Sequence, residues 1–457
     1  IEYVTNKYGK KHVSGIVTFG TLSSKQVLRD LARIFNIPGY KIDSLTKLIP
    51  NMSKDKLKDI YQKNTNFKMM IDGDVTLKNL FVSALKLEGF PRHISSHAAG
   101  ILMCSKELDE VIPLTVNDSM YLSGYSMEYL EELGLLKMDF LGLKNLTIID
   151  RVIKKANIKF SDIPLDDKST YDLFKNGNLD GVFQFESQGM KKFISNLKPE
   201  NINDLVAAVA LFRPGPMENI DTYVKRRHNL QKISYINEDL KDILSSTCGI
   251  IVYQEQIMQI ARKMAGFSYA KADELRRAMS KKKEDLLLSY KDDFISGGLS
   301  YGYDEKTLNE VYNLILKFAN YGFNKAHSVS YAIIGYKIAY LKVHYSVYFE
   351  TELLNNSISS SNKTKSIIDE CKSLGVEVTG PIINISTDKY NVIEDKLVLP
   401  LSLIKGIGVL TSKEIVRERD LNGSFTSYLD FVRRCYKLGR DVLKNIILSG
   451  ALDSFGK

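Results

Sequence analysis

The chain has 457 residues, 44% of them hydrophobic and 26% charged, which indicates a folded protein of roughly three or four domains. Its apolar runs are too short to span a bilayer and no signal segment opens it, so we expect a cytoplasmic protein without membrane contact. The net charge of +9 argues only weakly for a polyanionic partner, and four scattered cysteines predict reduced thiols without metal spacing.

The two ends of the sequence look like internal positions of a larger protein. The sequence begins at Ile1 without a methionine, in a stretch that reads as helix, and it stops at Lys457 without a tail. We therefore expect this chain to be an internal piece of a longer polypeptide.

The first third of the chain is predicted to combine helices with short strands. A helix opens the chain, a strand follows at residues 14–20, and residues 21–95 read as mainly helical. Between residues 95 and 143 the pattern changes to short apolar strands with turns between them.

The stretch KMDFLGL, residues 137–143, places one carboxylate in a run that we expect to be buried. Strand alternation puts Lys137 and Asp139 on one face, with their apolar neighbours on the other. A buried charge needs a partner or a metal, because burying it alone is unfavourable. Two interpretations stay open: a structural ion pair between these residues, or a metal-binding aspartate beside a phosphate-binding lysine.

Residues 144–375 are predicted to be mainly helical and carry most of the basic clusters. In FRPGP, two prolines around a glycine stiffen the turn that follows the arginine and fix its direction. Basic groups with interleaved aromatic rings suit a triphosphate together with a stacked base, although an aromatic stripe at helical spacing is also typical of a core. The candidates are Arg213, Arg276, Arg277, Lys325, His327 and Tyr331, with Tyr321 as a further candidate and Lys281 and Lys282 in the same basic cluster.

The last part of the chain is predicted to form a helix, a tight turn and a second helix at residues 403–425. Gly406 and Gly408 would form the turn beside Lys405, and Ile415 and Val416 would form the packed face of the second helix. Converging backbone N–H groups in such a turn can bind a DNA phosphate without reading a base. This helix-hairpin-helix interpretation competes with an ordinary helical hairpin that has a glycine turn.

Long motifs along essentially the whole chain resemble the alpha catalytic subunit of bacterial DNA polymerase III, the C family of replicative polymerases. The motifs include LLKMDFLGLKNLTII, ALFRPGP, GIIVYQEQIMQIA, LRRAMSKKK and FANYGFNKAHSVSYA. The HAAG motif at residues 97–100 is more similar to the branch without a built-in exonuclease.

The resemblance implies an α+β, mostly helical fold with the parts of a polymerase. It implies a partial palm, similar to the nucleotidyltransferase fold of polymerase beta, at residues 1–20 and 96–145. The other implied parts are a thumb at residues 21–95, fingers at residues 146–375 and a helix-hairpin-helix DNA-binding unit at residues 376–457.

The implied reaction is template-directed DNA synthesis, in which a primer 3′-hydroxyl attacks a deoxynucleoside triphosphate with the help of two Mg²⁺ ions. Asp139 matches the third catalytic aspartate of the family, a metal ligand, and Lys137 would contact a phosphate beside it. The first two aspartates of the family lie upstream of the position that matches Ile1. We therefore expect this chain to be inactive alone.

The resemblance also implies binding residues and partners. Arg213, Arg276, Arg277, Lys325, His327 and Tyr331 would bind the nucleotide, and Lys405, Gly406 and Gly408 would bind DNA. The implied partners are primer-template DNA and deoxynucleoside triphosphates in the cytoplasm, at the nucleoid, with the sliding clamp and other replisome proteins bound mostly outside this chain. Two alternatives stay open: a non-catalytic module that binds DNA and nucleotide, and an accessory scaffold that binds no nucleotide.

Overall fold

The computed structural model describes residues 1–50, 55–117, 120–280, 284–319, 322–358 and 360–456. The chain forms two compact units, Ile1–Gly142 and Leu143–Lys457, and each unit has hydrophobic cores of its own. No helix in the described part of the chain is long and apolar enough to cross a membrane. Three of the predicted candidates, Tyr321, Lys281 and Lys282, lie outside the described residues.

The first unit is built on a mixed β-sheet with helices inserted between its first two strands. Its elements are α1 (Glu2–Tyr8), β1 (Val13–Thr21), α2 (Ser24–Ile34), α3 (Gly39–Lys47), α4 (Leu57–Lys63), α5 (Thr65–Asp72), α6 (Val75–Leu87), β2 (Pro91–Met103), β3 (Leu114–Asn117), β4 (Met120–Ser123), α7 (Met127–Leu130) and β5 (Leu136–Asp139). The strand order is β3-β4-β1-β2-β5. Strand β1 is parallel to β4 and antiparallel to β2, and β5 pairs antiparallel with β2 at the edge of the sheet.

The helices α2 to α6 pack around one apolar core. Val27, Leu28 and Leu31 of α2 recur at helical spacing and are all buried in that core. The carboxylate of Asp74 accepts the N–H groups of Thr76 and Leu77, which satisfies two free donors at the start of α6. The predicted helical character of this segment is therefore confirmed as far as α6 extends.

The predicted boundary between this helical segment and the strands was placed too late in the sequence. Strand β2 begins at Pro91, whereas the strand region was predicted to begin at residues 95–96. The pairs Phe19↔Ile94 and Thr21↔Pro91 extend β1 and β2 into one antiparallel ribbon. Pairing with a strand about 70 residues earlier therefore overrides the local helical pattern.

The second unit is mostly helical. Its elements are α8 (Lys144–Ala156), α9 (Lys168–Asn176), α10 (Gln188–Leu197), α11 (Ile202–Leu211), α12 (Ile220–Arg227), α13 (Lys241–Leu244), α14 (Gln254–Ala265), α15 (Tyr269–Ser280), α16 (Glu284–Ser300), α17 (Glu305–Ala319), α18 (Lys325–His344), α19 (Ser346–Ser357), α20 (Ser361–Ser373), β6 (Val378–Thr379), β7 (Asn391–Ile393), β8 (Lys396–Val398), α21 (Val409–Asn422), α22 (Tyr428–Arg434) and α23 (Arg440–Leu448). Helix α11 packs against α18 and is buried from Asp204 to Leu211. Its nearly continuous apolar sequence is the pattern expected of a helix enclosed by others.

The C-terminal part of the second unit has its own core, in which Ile415 is 1% exposed and Val416 is partly buried. The predicted packed face of α21 is therefore confirmed. The prediction of a helix before the glycine turn is wrong, because the residues there form a single 3-10 turn at Leu401–Leu403. Pro400 precedes that turn and Ile404 is extended, so the helix does not continue on either side. The fold as a whole is α+β and mostly helical, as predicted.

Candidate functional site

The HAAG motif forms a bulge in β2 beside the edge strand β5. Gly15 of β1 pairs with Ile101 whereas Val17 pairs with Ser96, so the four residues 97–100 of β2 lie opposite the single residue Ile16 of β1. The Nδ1 atom of His97 accepts the backbone N–H of Ala99 at 3.2 Å and that of Gly100 at 2.7 Å. One imidazole therefore fixes the backbone of the bulge.

The bulge holds the strand that carries the candidate catalytic pair. Gly100 lies opposite Asp139 in the antiparallel register, and the N–H of Phe140 donates to the carbonyl of Ala99 at 2.8 Å. A glycine at position 100 leaves room for the Lys137 side chain, because an added Cβ would lie 2.8 Å from Cε of Lys137 and 3.0 Å from Nδ1 of His97. The aliphatic part of the Lys137 side chain therefore crosses directly over the bulge.

Lys137 and Asp139 lie on one face of β5, as strand alternation predicts. The distance from Lys137 Nζ to Asp139 Oδ1 is 3.2 Å, and the two side chains are 16% and 50% exposed. The structural ion pair of the first interpretation is thus present. The carboxylate nevertheless stays open to solvent and can accept a further ligand.

The expectation that the surrounding run is buried is wrong for this structure. Leu136, Phe140 and Leu141 are 59%, 42% and 63% exposed. The physical reason is that β5 is an edge strand with a neighbouring strand on one side only, and that Phe140 and Leu141 follow its last residue, Asp139.

The described residues do not form a metal site by themselves. The described residues include no group of three or more His, Cys, Asp or Glu side chains that could hold a metal ion. The ion-pair partner of Asp139 is Lys137, at 3.2 Å. Two hard cations such as Mg²⁺ need several oxygen ligands, so the described residues supply one candidate carboxylate and not a complete two-ion site.

In the second unit, several predicted binding residues form one continuous row. The guanidinium of Arg213 lies 4.4 Å from the ring centroid of Phe323. The Phe323 ring is 5.3 Å from that of His327, and His327 is 4.0 Å from the ring of Tyr331. Phe183 closes the row, 5.0 Å beyond Tyr331. We call these five residues the cation–aromatic row.

Lys325 lies at the first position of α18, beside the cation–aromatic row. Its ammonium group is 5.5 Å from the ring centroid of Tyr253 and forms no ion pair with any described residue. Burial raises the pKa of the Tyr253 hydroxyl, with a smaller contribution from the charge of Glu255, so this ring stays neutral. Arg213 likewise has no ion-pair partner among the described residues. Both cations are thus available to an anionic ligand.

Arg276 and Arg277 form a second basic cluster, on α15. Both Nε atoms donate to Asp273 at 2.8 Å, and the hydrogen bond from Arg276 is the main cause of the lowered pKa of that carboxyl group. The side chain of Arg277 is 70% exposed and that of Arg276 is 30% exposed. The predicted nucleotide-binding residues therefore fall into two sets on different helices, and ring contacts join only the set on and near α18.

The glycine turn near the C-terminus has the geometry of a tight hairpin. Gly406 has a φ of +86°, a conformation that L-residues with side chains rarely adopt, whereas Gly408 precedes α21 with an ordinary φ of −82°. Lys405 is exposed, and its carbonyl accepts a hydrogen bond from the Asn445 side chain at 2.8 Å. Ile407 is buried between the two glycines and anchors the turn to the core.

Sequence interpretation gave no role to two residues that shape these sites, Gly100 and Glu255. Gly100 had a local signal, because a glycine within a strand pattern indicates a bulge or a close approach. Glu255 had none, because its partner, the backbone N–H of Lys325, is 70 residues away.

Three segments of the chain match models of known protein families. Residues 1–142 match the model of the bacterial DNA polymerase III alpha NTPase domain, and residues 145–302 match that of the bacterial DNA polymerase III alpha subunit finger domain. Residues 375–457 match a helix-hairpin-helix motif.

Two curated relatives match over the whole chain. The DNA polymerase III subunit alpha of Staphylococcus epidermidis is 45% identical and that of Staphylococcus aureus is 44% identical. The chain spans 44% of the length of each of these relatives. The chain belongs to the family of bacterial DNA polymerase III alpha subunits.

Proposed function

We propose that this chain is the nucleotide- and DNA-binding part of a DNA-directed DNA polymerase. In this proposal residues 1–20 and 96–145 belong to the palm, residues 21–95 to the thumb and residues 146–375 to the fingers. Residues 376–457 form the helix-hairpin-helix unit. The family relationship supports the reaction class, and the single observation that carries the binding role is the cation–aromatic row with Lys325 beside it.

The row offers two kinds of contact that a deoxynucleoside triphosphate needs. Arg213 and Lys325 carry positive charges without ion-pair partners among the described residues, and charge-assisted hydrogen bonds to phosphate are among the stronger polar contacts. The rings of Phe323, His327 and Tyr331 present flat surfaces on which a base can stack. Arg276 and Arg277 add a second basic patch for phosphates, after exchange of their contacts with Asp273.

At the edge of the sheet, Lys137 and Asp139 are proposed to act next to the reacting phosphate. A primer 3′-oxygen forms a bond to the α-phosphorus while the bond between the α- and β-phosphates breaks and pyrophosphate leaves. Lys137 is suited to hold a phosphate oxygen, since a cation there offsets the charge that develops during transfer. Asp139 is one candidate ligand for divalent cations, Mg²⁺ in our proposal, and the other ligands would have to come from outside the described residues.

On its own, the chain is therefore proposed to bind without catalysing. The open exposure of a single carboxylate at β5, with no cluster of three acidic or histidine side chains in the described residues, favours this non-catalytic behaviour. The tight turn at Lys405, Gly406 and Gly408 is proposed to hold a DNA phosphate with backbone N–H groups. Such contacts carry no sequence information and weaken as the salt concentration rises. Binding of the sliding clamp and other replisome proteins is proposed for regions outside this chain.

The test is a titration of the folded chain with dATP and dTTP. We expect Arg213→Ala and Lys325→Ala each to weaken binding about tenfold, because each removes one charge-assisted contact. The matched control is Lys306→Ala, an exposed lysine on α17, which should leave the affinity unchanged. Absence of binding by the unmodified chain would favour the accessory scaffold instead. Equal affinity in all four proteins would contradict the binding role proposed for Arg213 and Lys325.

A further inference from the structure

Glu255 holds the start of α18, the helix that carries Lys325 and His327. Its Oε1 and Oε2 atoms both accept the backbone N–H of Lys325, each at 3.0 Å. The side chain of Asn324 accepts the N–H of His327 at 2.8 Å. Two donors in the first turn, which have no partner within the helix, are thus satisfied by side chains.

The position of Glu255 is itself fixed by a buried neighbour. Gln256 is 4% exposed, and its Oε1 accepts the N–H groups of Val252 and Tyr253 at 2.8 and 2.9 Å. Its Nε2 donates to the hydroxyl of Thr247 at 2.7 Å. These bonds determine where α14 begins, and therefore where the preceding carboxylate lies.

A short backbone bridge ties the same two segments together. The N–H of Phe323 donates to the carbonyl of Val252 at 3.1 Å, and the N–H of Gln254 donates to the carbonyl of Phe323 at 3.0 Å. Phe323 is a member of the cation–aromatic row. Residues at the start of α14 thus hold both Phe323 of the cation–aromatic row and the first turn of α18 in place by hydrogen bonds.

We propose that Glu255 is a positioning residue for nucleotide binding, an inference that rests on the function proposed above. Its carboxylate fixes the first turn of α18 and thereby the direction of the Lys325 and His327 side chains. The contact engages only the backbone N–H of Lys325, whose ammonium group is within ion-pair distance of no described residue. The cation therefore remains free for a phosphate, while the backbone beneath it is held still.

The opposite role makes a different prediction. A carboxylate next to a triphosphate site could act as an internal anion that the ligand must displace, and its removal would then strengthen binding. If Glu255 is a positioning residue, removal of its carboxylate weakens nucleotide binding, and an uncharged hydrogen-bond acceptor of the same shape restores that binding. Glu255→Gln keeps one acceptor oxygen for the N–H of Lys325 and removes the charge, so it separates the two roles.

The experiment measures the affinity for dATP and the thermal unfolding midpoint of the folded chain and its variants. We expect Glu255→Ala to weaken binding about fivefold, the loss typical of a helix cap, and Glu255→Gln to stay within about twofold of the unmodified chain. The matched control is Asp304→Ala, which removes the carboxylate that accepts the N–H of Thr307 at the start of α17. This control should lower the unfolding midpoint as much as Glu255→Ala does, without changing the affinity for dATP.

The possible results distinguish a failure of the positioning role from a failure of the proposed function. Equal or tighter binding by both Glu255 variants, in a chain whose affinity still falls with Lys325→Ala, would overturn the positioning role alone. Absence of dATP binding by the unmodified chain would overturn the proposed function and the positioning role with it. If Glu255→Ala does not fold, Glu255→Asp, which withdraws the carboxylate by one methylene, is measured in its place and should also bind more weakly.

Discussion

The side chain of Lys137 crosses the backbone of Gly100 so closely that a Cβ at position 100 would lie 2.8 Å from its Cε atom. Gly100 is also the register partner of Asp139. One glycine therefore lets a lysine and an aspartate on the edge strand form their 3.2 Å ion pair above the bulge. The candidate catalytic pair depends on a residue that has no side chain.

Replacement of this glycine should affect function more than stability. In Gly100→Ala the new methyl group displaces the flexible end of Lys137, which lowers the free energy of unfolding by only about 1 kcal/mol. We expect primer extension by the full-length polypeptide that carries this chain to fall about tenfold, because a small misplacement near the reacting groups is sufficient to slow the reaction. Thermal unfolding and primer extension measure the two effects.

Gly39→Ala is the matched control for Gly100→Ala. A Cβ at position 39 would meet no atom within 4 Å, and its φ lies outside the left-handed region. This variant should match the unmodified protein in both assays. Undiminished extension in Gly100→Ala would contradict the role assigned to the bulge.

The two glycines of the C-terminal turn should respond differently to substitution. Gly406→Ala places a side chain at a φ of +86°, so we expect a loss of about 1 kcal/mol in unfolding free energy and weaker DNA binding. Gly408 has an ordinary φ and no atom within 4 Å of an added Cβ, and serine is a good residue for the start of a helix. Gly408→Ser should therefore retain stability and lose DNA affinity only.

Thermal unfolding and a DNA titration at two salt concentrations test this pair of variants. We predict that Gly406→Ala loses both stability and DNA affinity, whereas Gly408→Ser loses DNA affinity and keeps its stability. If Gly408→Ser binds DNA as well as the unmodified chain does, the backbone of this turn does not approach a phosphate closely.

Glu350 should make the stability of the second unit depend on pH. Its carboxyl group is fully buried, its oxygens have no hydrogen-bond partner in the described residues, and the Lys342 ammonium group 3.8 Å away is bonded to Glu370. Burial is the main cause that raises the pKa of Glu350 to about 8; the charge of Lys342 opposes this shift, and the charges of Glu370 and Asp180 add to it. Because the ordinary pKa is 4.5, the folded chain holds this proton more tightly than the unfolded chain does.

The free energy of unfolding should consequently fall as the pH rises from about 4.5 to about 8. Glu350→Gln keeps the shape of the protonated form and removes this titration. We expect the variant to exceed the unmodified chain in stability at about pH 9, by an amount on the order of 1 to 3 kcal/mol, and the difference to shrink toward about pH 5. Denaturant unfolding at both pH values measures the difference.

Glu352 provides the comparison, because it is similarly buried but is paired with Arg151 at 3.2 Å and Lys155 at 2.7 Å. Glu352→Gln should lower stability at both pH values, since it leaves two cations without their partner. A Glu350→Gln variant whose stability changes with pH in parallel with the unmodified chain would contradict the account of this buried carboxyl group.

Local patterns in the sequence predicted the parts of the site that depend on neighbours along the chain. The shared face of Lys137 and Asp139 follows from the two-residue period of a strand, and Ile415, predicted to lie on the packed face of its helix, is buried. The exposure of Leu136 could not be predicted in this way, because it depends on the position of β5 at the sheet edge.

Contacts between distant segments explain the remaining differences. Strand β2 starts early because Pro91 pairs with Thr21, and the cap on α18 comes from a glutamate 70 residues away. Neither relationship leaves a periodic signal in the sequence around it. The grouping of Arg213 with His327 and Tyr331, apart from Arg276, likewise follows from the packing of helices rather than from sequence spacing.

The most direct test of the central claim is primer extension by the full-length polypeptide that carries this chain, with Mg²⁺ and the four deoxynucleoside triphosphates. Asp139→Asn removes one charge at β5 and keeps the side-chain shape, while Asp109→Asn alters an exposed aspartate elsewhere in the same unit. We predict that extension falls at least about a hundredfold in Asp139→Asn and is unchanged in Asp109→Asn. Full extension by a folded Asp139→Asn protein would contradict the account and leave the Lys137–Asp139 pair with a structural role.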